Sequence, residues 1–138
     1  MADDALVDAH IIVDPRISVS EGHFIAETVR QAVLRQHQVM DVMVHIDPED
    51  DLDNDANKNL PNRDVLLQHL AEKLGCDLPK RILLHYLDGK VEAELFFDTA
   101  CDPSEIALLQ QKVDEIGADD PWFRAVSLHC DCPRNMAK

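Results

Sequence analysis

Three histidines and an aspartate carry the chemistry this sequence offers. His45 and Asp47 stand two positions apart in Val42-Met43-Val44-His45-Ile46-Asp47-Pro48, with the acidic tail Glu49-Asp50-Asp51 behind them. Alternate side chains of a strand share a face, so His45 and Asp47 project together while Val42, Val44 and Ile46 face a core. A ring nitrogen beside a carboxylate oxygen suits a divalent cation. The plain alternative is a solvated strand end. His10 lies in a second strand over residues 6–14, with Val7, Ala9, Ile11 and Val13 on one face and Asp8, His10, Ile12 and Asp14 on the other. His23 falls in the first turn of the helix between the two strands, where a solvated or capping side chain is the alternative.

A strand–helix–strand connection within one sheet is right-handed, with the helix on the apolar face. His10 then shares a face with His45 and Asp47. His23, near the helix start, sits at the sheet's end, within reach of that site or of one on a neighbouring subunit. Two or three imidazoles and a carboxylate form a zinc-type set. Asp47 has the position to bridge two ions, and Glu49 and Asp50 to orient ligands.

The elements that must hold these groups are marked by their ends. Ser18-Val19-Ser20-Glu21 is a capping box, and its helix runs to about Gln36 with Ile25, Val29, Ala32 and Val33 inward. Gly22 and Ala26 permit close packing, and His37, at the helix end, is structural or solvated. Residues 48–61 have no apolar period and read as an acidic connector. Asp51, Asp53, Asp55 and Asn57 imitate the first half of a calcium loop, but Ala56 and Asn62 occupy the places that need Gly and Glu. Asn62 caps a helix over 63–74, with Val65, Leu66, Leu70 and Leu74 inward and Gly75 at its end. Strands 82–87 and 91–97 form a hairpin on Asp88-Gly89. Asp102-Pro103-Ser104-Glu105 starts a helix carrying Ile106, Leu109, Val113 and Ile116 that Gly117 stops, and a last strand covers 123–130.

The two halves match at a constant offset of 84 positions: Val7 with Val91, Ala9 with Ala93, Ser18 and Glu21 with Asp102 and Glu105, His45 and Asp47 with His129 and Asp131. This reads as a duplicated strand–helix–strand unit. The helix 63–74 and strand 82–87 that precede the second copy would fall before Met1 in the first. The first copy is therefore expected either to be cut from a longer protein or to take its missing edge strand from a partner. Glu94 stands where His10 stood and Ala107 where His23 stood, so a second metal site made of His129, Asp131, Cys130 and Cys132 is the weaker candidate. His69 and His85 have no placed partners and are read as structural.

Composition excludes several classes. The 138 residues carry 27 acidic against 13 basic side chains, a formal charge of −14, which argues against nucleic acid and anionic membrane surfaces. No run approaches the roughly 18 apolar residues of a membrane span, so the chain as it stands is expected to be soluble. Four cysteines are too few for a disulfide framework, and reduced thiols are the default. No Gly-x-Ser-x-Gly and no phosphate loop occur, so an enzyme is not expected.

Val7-Asp-Ala-His10-Ile-Ile-Val-Asp-Pro15, Ser18-Val-Ser-Glu-Gly-His23 and Asp41-Val-Met-Val-His45-Ile-Asp47-Pro48 together resemble the cytoplasmic C-terminal domain of cation diffusion facilitator (cation efflux) transporters, over about residues 5–51. The resemblance implies an α/β (α+β) fold of metallochaperone- or ferredoxin-like strand–helix–strand units, duplicated here, with small mixed sheets and helices on one face. It implies a homodimer that binds Zn²⁺ or a similar ion near its interface through His10, His23, His45 and Asp47. The ion brings two protomers together and so biases an N-terminal transmembrane domain from the cytoplasmic side. The family's domain also has an earlier His ligand, which this chain starts too late to contain, and it usually ends soon after the His-x-Asp-Pro segment. The expected organisation is a first copy at 1–50, an acidic linker at 51–61 and a degenerate second copy at 62–138. From another class, a free-standing soluble metal-binding or carrier protein fits the same residues.

Overall fold

The computed structural model describes residues 5–36, 39–50, 56–97 and 102–130. The chain divides into two compact units, Met1–Asp55 and Ala56–Lys138. The fold is α+β, and the described residues form three helices, one two-stranded sheet and one three-stranded sheet. Among the described residues no helix is long and apolar enough to cross a membrane.

The first unit is β1 (Ala5–Ile12), α1 (Val19–Leu34) and β2 (Val39–Asp47). Past β1, the Asp14 carboxylate accepts from the Arg16 backbone N–H at 2.8 Å and turns the chain. Ser18 then caps α1, its Oγ accepting from the Glu21 N–H at 3.1 Å. Gly22 is buried, and a Cβ there would stand 3.4 Å from Ile46 Cγ2, so glycine lets the helix lie close on β2. The inward stripe is Ile25, Ala26, Val29, Val33 and Leu34; Ala32 is exposed, one position out of phase with the expected stripe. Arg30 fastens the far end, donating to the Val42 carbonyl at 3.3 Å and to Asp41 at 3.2 Å. The Val42 N–H, and after it Arg30, hold the Asp41 carboxyl below its ordinary value. β1 and β2 pair in parallel, with His10 opposite His45 and Ile12 opposite Asp47.

The second unit is α2 (Arg63–Leu74), β3 (Arg81–Leu87), β4 (Lys90–Phe97), α3 (Pro103–Asp119) and β5 (Phe123–Cys130). Its sheet is mixed, in the order β3-β4-β5: β3 and β4 antiparallel, β4 and β5 parallel. Asn62 caps α2, and Gly75 closes it at φ 67°, where a side chain would be strained. Val65, expected inward, is exposed at 44%; the packed face is Leu66, Leu70 and Leu74. Asp88 and Gly89 both adopt positive φ in the hairpin turn, as a tight two-residue connection requires. α3 runs past Gly117 to Asp119. A Cβ at Gly117 would stand 3.4 Å from the Arg124 carbonyl oxygen, so this glycine allows close approach of the backbone that follows α3 rather than stopping the helix. Residues 56–60, within the expected connector, pack onto this unit: Asn57 accepts from the Gly89 N–H at 2.8 Å, and Leu60 joins the core.

β4, α3 and β5 repeat the order and parallel pairing of β1, α1 and β2, and the helix starts Val19 and Pro103 and strand starts Val39 and Phe123 are each 84 positions apart.

Candidate metal centre

The pleat and register of the first unit decide which polar groups meet. His10 and His45 are neighbours across the ladder, and their rings stack with centroids 4.5 Å apart and planes 8° apart. Each ring is held by a carboxylate from the other strand. His10 Nδ1 is 2.7 Å from Asp47 Oδ2, and His45 Nε2 is 3.2 Å from Asp8 Oδ1. Two carboxylates and two imidazoles thus alternate diagonally over one patch. The side chains of His10 and His45 are 34% and 42% exposed, open enough for an ion or a partner to reach.

One nitrogen each from His10 and His45 and one oxygen of Asp8 lie within 4.8 Å of one another, the sole such trio among the described residues. Zinc bonds nitrogen and oxygen at about 2.0–2.2 Å, so the three ligand atoms are near enough to share one ion once their side chains turn toward it. The donor set fits a borderline divalent cation.

Of the residues expected at the site, His10, His45 and Asp47 meet on this face. His23 is elsewhere. It lines a groove of about 420 Å³ with Val19, Gly22, Val44 and Ile46, on the face of β2 that α1 covers. Asp8 was not selected from the sequence, although the alternation that groups it with His10 was visible there. The weaker second set is only partly described: His129 and exposed Cys130 end β5, while Asp131 and Cys132 lie outside the described residues, as do His37 and Asp51, Asp53 and Asp55 of the calcium-like spacing. His69 and His85, expected without partners, both have one. His69 Nε2 is 2.7 Å from Asp120 Oδ2, and His85 Nε2 is 2.7 Å from Glu94 Oε2.

The family described as "Cation efflux protein, cytoplasmic domain" matches residues 1–49. The chain is 39% identical over 44 residues to "Uncharacterized transporter YdbO" of Bacillus subtilis, covering 32% of this chain and 15% of that protein. It is 33% identical over 104 residues to "Metal tolerance protein C1" of Arabidopsis thaliana, covering 62% of this chain and 21% of that protein. The chain therefore spans about a fifth or less of the length of these curated relatives. No solved structure matches.

Proposed function

We propose, from the match of residues 1–49 to the cytoplasmic domain of cation efflux proteins, that this chain is the metal-sensing, dimerising regulatory part of a divalent-cation efflux transporter, with zinc as the sensed ion. One observation carries the proposal: two stacked imidazoles flanked by Asp8 and Asp47 on a partly exposed sheet face. One relative is named a transporter and another for metal tolerance, in keeping with a membrane domain as partner. The role is binding rather than catalysis, and it places this domain on the cytoplasmic side of the membrane. His10, His45 and Asp47 would bind the ion, Asp8 joining them in the same patch. His23, on the covered face, would complete a site through a second protomer rather than within its own. A cation neutralises part of a chain of formal charge −14 and so lowers the repulsion between two copies.

Calorimetric titration of Zn²⁺ into the chain and into its His45→Ala and Asp47→Ala variants tests this. Loss of a ligand should weaken binding at least about tenfold, the scale already set by lesser changes around metal sites. Unchanged zinc affinity in both variants would overturn the proposal. Analytical ultracentrifugation of the same samples reads dimerisation, which should rise with zinc in the unaltered chain.

A further inference from the structure

The second unit holds a cluster that the proposed first-unit site does not use. Glu94 in β4 lies between His85 of β3 and His129 of β5. His85 Nε2 is 2.7 Å from Glu94 Oε2, and His129 Nε2 is 3.1 Å from Glu94 Oε1. One carboxylate therefore engages two imidazoles, one on each oxygen. Both rings turn the same type of nitrogen toward the anion. The side chains are 12%, 21% and 43% exposed for His85, Glu94 and His129, so the cluster is walled at His85 and opens at His129. Phe96 stacks on the His129 ring with centroids 4.4 Å apart, and the Arg81 guanidinium lies 4.2 Å from the Phe96 centroid. The packing orients His129 without taking its Nε2.

We propose that His85, Glu94 and His129 form a second divalent-cation site, lying outside residues 1–49. Two imidazole nitrogens and a carboxylate are a zinc-type donor set. They come from three strands of one sheet, so the backbone that carries them is braced by the ladder. In the cluster each Nε2 is hydrogen-bonded to a different Glu94 oxygen. A divalent cation entering there takes the two Nε2 lone pairs and the carboxylate, each ring then carrying its hydrogen on Nδ1 and any further proton passing to solvent. The three ligand atoms are further apart than those of Asp8, His10 and His45. Closure falls to His129, the most exposed of the three and one residue from the end of β5. Of the set expected from sequence, only His129 is shared; the new members are His85 and Glu94.

Zinc-binding stoichiometry of the full chain, its Glu94→Gln variant and its His10→Ala/His45→Ala variant tests the proposal. Gln keeps the size and hydrogen-bonding capacity of Glu94, and circular dichroism checks the fold. E94Q should bind one equivalent of Zn²⁺ fewer than the unaltered chain. In the His10→Ala/His45→Ala chain, zinc should move the His85 and His129 ring ¹⁵N resonances into the metal-bound range. Equal stoichiometry in E94Q, or His85 and His129 rings that respond to pH but not to zinc, would overturn the proposal and leave a proton-linked hydrogen-bond cluster. Retention of full zinc binding by the His10→Ala/His45→Ala chain would count against the first-unit site alone, so the two readings fail separately.

Discussion

The two units use the same strand–helix–strand order on unequal foundations. Eleven buried hydrophobic residues, among them Leu66, Leu70, Leu74, Leu95 and Phe123, form one core in the second unit. Among the described residues of the first, only Val42 is a buried hydrophobic, while Leu6, Ile12, Val19, Phe24, Met40 and Met43 are all at least 59% exposed. The difference is structural. The second unit has β3 to widen its sheet and α2 packing with α3, whereas the described residues of the first form two strands and one helix. A two-stranded sheet is at best marginal in water without further cover. The unit that carries the paired histidines is thus the one whose stability has most to gain from anything that binds its folded form.

The largest effect should separate the two cores. Leu70 is fully buried, and Leu70→Ala should destabilise the second unit by about 2–5 kcal/mol. The single tryptophan, Trp122, packs edge-on against His69 with centroids 4.8 Å apart, so its fluorescence in a urea titration reports that unit. The same transition should be insensitive to Val42→Ala. If both substitutions move it alike, the two units unfold together and the contrast loses its meaning.

Next in size is the metal. Free Zn²⁺ at 100 times the dissociation constant stabilises a folded form that alone binds it by about 2.7 kcal/mol. Hydrogen exchange at β2 amides, Val42 to Ile46, should slow accordingly, and a chelator or His45→Ala should restore the faster rate. Equal zinc protection in His45→Ala would place the stabilising ion elsewhere.

The third effect belongs to the second unit and depends on pH. Burial pushes the Asp120 carboxyl up, but the Phe123 N–H, His69 and the Trp122 N–H together outweigh it and hold the carboxyl below its ordinary value of 3.8. Its Oδ1 accepts from both N–H groups at 2.9 Å. Since the folded value is the lower one, the contribution is complete above the unfolded value and is lost as pH falls through the folded one. The Trp122 transition should weaken below about pH 4, and Asp120→Ala, which strands the Phe123 and Trp122 N–H donors, should reduce this acid dependence and cost about 1–3 kcal/mol at neutral pH.

How the sequence anticipates these features follows from which ones are local. The caps Ser18, Asn62 and Asp102, the turn at Asp88-Gly89 and the period-two faces are set by neighbours in the chain, and each occurs as expected. That same turn dictates His85 opposite Glu92, which leaves Glu94 diagonal to His85; this partner is as legible in the sequence as the face that Asp8 shares with His10. The parallel ladders are different, because register across a helix crossover is set by packing. The offset of 84 would carry His10 opposite His45 onto Glu94 opposite His129. Instead Glu94 opposes Ser127 and His129 opposes Phe96. The two units share an order of elements but not a ladder, so their polar groups assemble differently. The exposure of Ala32 and Val65 has the same origin, since helix phase is fixed by what the helix packs on.

The smallest effect compares the two helix caps. Asn62 Oδ1 accepts from the Val65 N–H and Ser18 Oγ from the Glu21 N–H, both at 3.1 Å. Either cap replaced by alanine should cost about 1 kcal/mol. The consequences should nevertheless differ. In α2, Leu66, Leu70 and Leu74 are fully buried, so the loss is shared by the whole cooperative unit and appears as a lower midpoint of the Trp122 transition. In α1, Gly22 and His23 follow the capped start of the helix and Gly22 lies close on Ile46, with no deep core to hold them. Ser18→Ala should therefore appear as faster hydrogen exchange at Gly22 and His23, with the Trp122 midpoint unchanged. If Ser18→Ala lowers that midpoint as Asn62→Ala does, α1 is supported by more than its own two strands, and the first unit is sturdier than its buried side chains imply.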